Sequence, residues 1–184
     1  MPLIEPGANV PTFKLPDHTG RITSIPRANG RWLVLFFFPK ANTSACTSEA
    51  CQFQALLDAF NDAGCDVVGL APDPVQALAE MAGANTLGYP LLSDSGVGGE
   101  PPAICQKLGV WGEKSMYGNT YMGVIRTTYL IDPKGIVAQR WDRVSTPKHA
   151  AKVLKALHEA LGLSKASRAT PPASKKASGK RGAS

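Results

Sequence analysis

Two cysteines five residues apart, Cys46 and Cys51, stand in the segment Phe38-Pro39-Lys40-Ala41-Asn42-Thr43-Ser44-Ala45-Cys46-Thr47-Ser48-Glu49-Ala50-Cys51. Sulfur is a strong nucleophile only as thiolate, and negative charge on sulfur is favoured where unpaired backbone N–H groups and the positive end of a helix dipole face it. Cys46 follows an apolar run and opens a helical pattern, which is such a place. The chemistry on offer is attack by sulfur, with a second thiol close along the chain. Cys65 opens a buried-strand pattern and reads as structural, and Cys105 lies on a short helical pattern in mid-chain. His18, His149 and His158 have no ligand spacing and read as ordinary surface residues.

The elements that must position Cys46 are legible around it. Trp32 to Phe38 is a continuous apolar and aromatic run stopped by Pro39, the pattern of a strand buried on both faces. From Thr43 or Ser44 a helical stripe of Ala50, Phe53, Leu56, Leu57 and Phe60 runs to a stop at Gly64. Cys65 to Ala71 predicts a second buried strand. Pro74 to Met81 predicts a short helix with Asp73 as its cap, and Tyr89 to Leu92 a third strand. The order βαβαβ favours parallel pairing.

Upstream, Phe13, Leu15, Ile22 and Ile25 around Asp17-His18-Thr19-Gly20 suggest an N-terminal hairpin. Downstream, Ile125 to Ile131 and Ile136 to Arg140 flank the turn Asp132-Pro133-Lys134-Gly135. Pro147 to Leu161 then predicts an amphipathic helix with Val153, Leu154, Leu157 and Leu161 inward. Together these predict an α/β thioredoxin-like fold, a central mixed sheet flanked by helices, with the N-terminal hairpin as an addition. Residues 95–120, rich in Gly and Pro, predict loop around a short helix near Ile104 to Leu108.

The 184 residues carry a net charge of +6, but six basic and no acidic residues fall in the last 21, leaving 14 of each sign in the rest. The formal charge therefore marks a cationic tail rather than a basic face. The tail lacks aromatic and large aliphatic residues, so residues 1–163 are expected to form one domain and residues 164–184 a disordered tail. Such a tail offers weak, salt-dependent attraction to DNA, RNA or anionic lipid, solvated charge being the simpler reading. No secretory pattern opens the chain and no apolar run has membrane-spanning length, so a cytoplasmic protein with reduced thiols is expected.

Pro39, Thr43 and Cys46 resemble the Pro-x-x-x-Thr/Ser-x-x-Cys motif of peroxiredoxins, and a cysteine five residues later resembles the Q type, also called bacterioferritin comigratory proteins. The segments Tyr89 to Asp94, Gly109 to Lys114 and Arg126 to Asp132 are similar to the same family, so the resemblance runs over residues 3–162. It implies Cys46 as the peroxidatic nucleophile and Thr43 as hydrogen-bonding peroxide and thiolate. It further implies Arg126 as stabilising the thiolate, Pro39 as shielding the pocket, Glu49 as orienting the arginine, and Cys51 as resolving thiol. Cys105 is kept as an alternative resolving thiol. The implied function is thiol-dependent reduction of hydrogen peroxide and organic hydroperoxides, recycled by thioredoxin or a similar dithiol, without cofactor or metal and with the chain acting as a monomer or weak dimer. A long Gly/Pro segment at Ser95 to Ala103 and Asn119, where lysine is frequent, depart from the family pattern.

Residues five apart on an intact helix have Cα atoms about 8.6 Å apart, beyond the roughly 7 Å a disulfide spans. If Cys46 and Cys51 pair, the first turns of their helix must unwind. Three other readings stand beside this one. A disulfide oxidoreductase would favour Cys-x-x-Cys, a thiolate metal site would need close cysteine pairs, and a nucleic-acid binder would rest on the tail alone.

Overall fold

The computed structural model describes residues 1–27 and 29–163; the tail at 164–184, with its expected disorder, lies outside them. The N-terminal hairpin is present as antiparallel strands β1 (Phe13–Pro16) and β2 (Ile22–Ile25). Its turn is built on the Asp17 carboxylate, which accepts the N–H of Thr19 and Arg21 and the Thr19 hydroxyl.

Strand β3 (Trp32–Phe37) lies at the middle of the main sheet because it has apolar residues for both faces. Val34, Phe36 and, just beyond, Phe38 enter one core cluster, while Leu33, Leu35 and Phe37 enter another. Helix α1 (Ser44–Ala55) follows, then α2 (Leu57–Asp62) and strand β4 (Cys65–Ala71), which pairs parallel with β3. The single helix predicted from the stripe is thus two. Leu56 (φ −105°, ψ 7°) interrupts it, and its N–H turns back to the Phe53 carbonyl at 3.2 Å. The break lets Phe53 and Phe60 both reach the core, their ring centres 5.9 Å apart, while Leu56 and Leu57 stay half-buried.

Helix α3 (Val75–Ala84) has Pro74 rather than Asp73 at its N-cap position. The Asp73 carboxylate is spent elsewhere, accepting the Ala41 N–H at 3.0 Å and so tying the β4–α3 connection to the loop after β3. Strand β5 (Leu91–Ser93) extends the sheet parallel to β4.

The middle segment is not loop throughout. After the short helix α4 (Ala103–Lys107), strands β6 (Trp111–Met116) and β7 (Asn119–Val124) form a separate antiparallel ribbon. Its turn is Tyr117-Gly118, both with positive φ, as a two-residue type I′ connection requires. Strand β8 starts late (Thr127–Ile131), pairs antiparallel with β3 and then with β9 (Val137–Trp141), and α5 (His149–Ala160) closes the domain.

The sheet order β5-β4-β3-β8-β9, parallel on one side of β3 and antiparallel on the other, is the thioredoxin-like arrangement. One face carries the core residues of α1, α2, α3 and α5; the other carries those of the N-terminal hairpin and α4.

Candidate active site

Pro39 ends β3, and the loop after it is held at several points before the chain turns into α1. Ala41 donates to Asp73, the Asn42 side chain to the Ala77 carbonyl at 3.4 Å, and the Thr43 hydroxyl to the Lys40 carbonyl at 3.0 Å. Thr43 holds the N-cap position by backbone conformation (φ −88°, ψ 153°), but its hydroxyl does not cap the helix. Cys46 is then the third helical residue, inside the first turn where backbone N–H groups lack intrahelical acceptors.

Arg126 reaches Cys46 from the opposite strand. The pairing Phe37↔Thr127 places Arg126 one residue before the start of β8, level with the chain entering the Pro39 loop. Its Nη2 donates to Cys46 Sγ at 3.1 Å, and its Nη1 donates to Glu49 Oε2. Val144 N–H holds the Arg126 carbonyl at 3.0 Å. Glu49 is fully buried, and burial pushes its carboxyl up to about 7 against the pull of Arg126. Arg126 is held even more firmly charged than an ordinary arginine, because Glu49 and Cys46 outweigh the cost of burying it. The site therefore brings together Pro39, Thr43, Cys46, Glu49 and Arg126.

Pro39, Thr43, Cys46 and Arg126 open on a cavity of about 470 Å³ whose far wall is the β6–β7 ribbon. Trp111, Met116, Tyr121 and Met122 supply an apolar wall, and Lys114 supplies a cation. The Lys114 ammonium donates to the Val124 carbonyl at 3.1 Å and stands 6.0 Å from the Tyr121 ring centre. Sequence reasoning gave none of these residues a role; the signal available was the segment Gly109 to Lys114, noted without chemistry.

Cys51 is half-buried on the same unbroken helix as Cys46, its thiol donating to Asn85 Oδ1 at 3.5 Å. All four cysteines are free. Cys65 is fully buried, its thiol pushed up to about 12 by desolvation. Cys105 is fully buried in the core on the other face of the sheet from Cys46, and burial followed by the neighbouring Asp94 pushes its thiol upward. The sheet thus separates Cys105 from Cys46.

His149 is not a surface residue. It is buried edge-on against Phe53 and Trp141, shares a 2.8 Å hydrogen bond with Thr128, and is pushed down to about 4 by burial. His18 is half-buried and its Nδ1 accepts the Leu91 N–H at 3.1 Å. Among the described residues no group of three or more His, Cys, Asp or Glu is placed to hold a metal ion. No described helix is long and apolar enough to cross a membrane.

The sequence profile of the AhpC/TSA family matches residues 6–140, from the N-terminal hairpin through β9 and across the whole site. The chain belongs to that family, as a peroxiredoxin of the Q type. A putative peroxiredoxin of Mycobacterium tuberculosis is 38% identical over 150 residues, 82% of this chain and 92% of the relative. Peroxiredoxin Bcp of Escherichia coli K12 is 36% identical over 156 residues, 85% and 97% of the two chains. Among solved structures, a variant of Xylella fastidiosa PrxQ superposes with a TM-score of 0.79 at 28% identity, covering 86% of this chain and 98% of that one. A structure of Xanthomonas campestris bacterioferritin comigratory protein, concerned with its alkyl peroxide reduction activity, gives 0.73 at 36% identity, covering 80% and 91%. A Q-type peroxiredoxin is a thiol-dependent peroxidase, and this chain is one.

Proposed function

We propose that Cys46 is the peroxidatic nucleophile and Cys51 the resolving thiol of an atypical two-cysteine peroxiredoxin recycled by thioredoxin. The observation that carries the reading is the 3.1 Å contact from Arg126 Nη2 to Cys46 Sγ on the wall of a largely apolar cavity. A permanent cation against sulfur favours the thiolate. Thr43 gives its proton to the Lys40 carbonyl, so its oxygen is left to accept the hydroxyl of a bound peroxide. Pro39 covers the sulfur from one side of the cavity. Glu49 fixes one arm of Arg126 so that the other stays on Sγ.

The thiolate attacks one peroxide oxygen, forming the sulfenic acid as the O–O bond breaks. Cys51 then displaces water from the sulfenic acid to give the Cys46–Cys51 disulfide, and a dithiol reduces it. Both cysteines sit on an unbroken α1, so the second step requires the first turns of that helix to open. The apolar wall of Trp111, Met116, Tyr121 and Met122 suits organic hydroperoxides beside hydrogen peroxide. We assign the folded peroxidase domain to residues 1–163, with a cytoplasmic, monomeric protein as the working form and the basic tail as at most a weak, salt-dependent contact to nucleic acid or anionic surfaces.

Peroxide consumption with thioredoxin and its reductase tests this in wild type, Cys46→Ser and Cys51→Ser. Cys46→Ser must lose turnover, and Cys51→Ser must stall with sulfenic or sulfinic acid at Cys46. Full turnover in Cys51→Ser would remove it as the resolving thiol.

A further inference from the structure

Attack on a hydroperoxide leaves an unmet requirement in this site. As the S–O bond forms and the O–O bond breaks, sulfur is oxidised by two electrons, the sulfenic acid keeps the hydroxyl hydrogen, and the O–O electron pair departs on an alkoxide, or on hydroxide when the substrate is hydrogen peroxide. That oxygen is a strong base and needs a proton. Arg126 touches the sulfur but does not release its protons at any working pH. The Thr43 hydroxyl has its proton on the Lys40 carbonyl, and Glu49 lies behind Arg126, fully buried and outside the cavity wall. The remaining acidic protons on that wall belong to Lys40, Lys114 and Tyr121.

Resting on the reading of Cys46 as nucleophile, we propose that the Lys114 ammonium is the general acid that protonates the departing oxygen. Its position is set by the ribbon. Lys114 lies directly opposite Tyr121 in the β6–β7 register, and its ammonium is held by the carbonyl of Val124, itself a residue of the cavity wall. One of its three N–H groups is used there. It makes no ion pair with a carboxylate among the described residues, so the others are not drawn away. Lys40 is exposed, whereas Lys114 is half-buried. Burial and the neighbouring Arg126 both lower the hold of Lys114 on its proton, against an opposite pull from Cys46. That suits an acid which must give up a proton near neutral pH. Lys114 gives a proton to the alkoxide to form the alcohol, and the neutral amine is reprotonated by solvent.

The test is the dependence on leaving group, read as the second-order rate of Cys46 oxidation by hydrogen peroxide, tert-butyl hydroperoxide and peracetic acid. Peracetic acid expels acetate, which is too weak a base to need the proton. Lys114→Gln is expected to slow the first two reagents on the order of 100-fold and to leave peracetic acid far less affected. The ratio is taken within one variant, so it does not depend on how much of that variant is folded. Lys114→Arg keeps the charge but cannot donate, and is expected to behave like Lys114→Gln. An equal loss for all three peroxides, or recovery of wild-type rates in Lys114→Arg, overturns the proposal. So does a collapse of the ratio in Lys40→Gln or Tyr121→Phe instead of Lys114→Gln. Reaction persisting in Cys46→Ser overturns the nucleophile reading as well; failure of the Lys114 reading alone leaves Cys46 reactive with a uniform pattern.

Discussion

Glu49 meets Arg126 from inside the core: its Oε2 takes the Nη1 arm of the guanidinium, and its Oε1 has no hydrogen-bond partner among the described residues. One cation is thus shared between a buried carboxyl and the Cys46 sulfur, and burial raises the carboxyl to about 7. A folded state that holds this proton more tightly than the unfolded chain, where the carboxyl titrates near 4.5, is favoured at low pH. That contribution is whole below about 4.5 and is lost as pH rises to about 7.

His149 has the opposite sign. Its imidazole is pushed down from 6.5 to about 4, so its contribution is whole above about 6.5 and is lost as pH falls to about 4. Each shift corresponds to roughly 3 kcal/mol, and across the shared window they offset one another. Denaturant midpoints of the wild type are therefore expected to change little from these two groups between pH 5 and about 6.5. Glu49→Gln should lose stability on acidification through that window, and His149→Asn should lose it on alkalinisation. Parallel pH curves for wild type and Glu49→Gln would remove the raised carboxyl from the account.

The segment between α3 and β5 holds α1 closed. The Tyr89 hydroxyl donates to the Ala50 carbonyl at 2.7 Å, Gly88 N–H to Gln54 at 2.7 Å, and the Cys51 thiol to Asn85. Losing one such bond costs about 1 kcal/mol, which raises the opened population roughly fivefold. Tyr89→Phe is expected to form the Cys46–Cys51 disulfide faster and to accumulate less sulfinic acid at Cys46 under high peroxide, read by mass spectrometry. More sulfinic acid than wild type would show that Tyr89 does not restrain opening.

Met116 and Met122 stand half-exposed on the cavity wall, apolar side chains in contact with water until something covers them. Met122→Glu should lower kcat/KM for cumene hydroperoxide by about tenfold and for hydrogen peroxide much less, since the small substrate needs no apolar wall. Equal losses would mean that the ribbon does not touch the organic group.

Asp73 anchors the loop that carries Thr43. Asp73→Ala leaves the Ala41 N–H without its acceptor and should cost about 1–2 kcal/mol of stability together with slower Cys46 oxidation. Asp73→Asn keeps an acceptor oxygen and should retain most of both, as thermal unfolding and single-turnover rates can check.

Most of what was legible from the sequence came from residues that serve one purpose. The run from Trp32 to Phe38 has no use except burial, so β3 and its central place were readable. Pro39, Thr43 and Cys46 were readable through a motif and Arg126 through a separate similar segment, and the structure brings them together. The β6–β7 ribbon was not, because both its strands are largely exposed and its turn is Tyr117-Gly118 instead of the usual Asn-Gly. Asp73 looked like a helix cap because aspartate before proline usually is one, but the Ala41 N–H competes for the same carboxylate. His149 looked like a surface residue because its Phe53, Thr128 and Trp141 neighbours stand on α1, β8 and β9, which only the folded sheet brings against α5.

In the proposed cycle, the interruption at Leu56 divides the helix that opens from the helix that stays closed. An excursion beginning at Thr43 can consume the hydrogen bonds of α1 one by one, but α2 starts afresh on its own ladder, with Phe60 N–H already on the Leu56 carbonyl and the Phe60 ring fully buried. The conformational freedom that the proposed cycle would spend is therefore bounded by the chain itself. A molecule that loosens only the first turns of α1 to bring two sulfurs together can do so repeatedly while the Phe53 and Phe60 rings stay in the core.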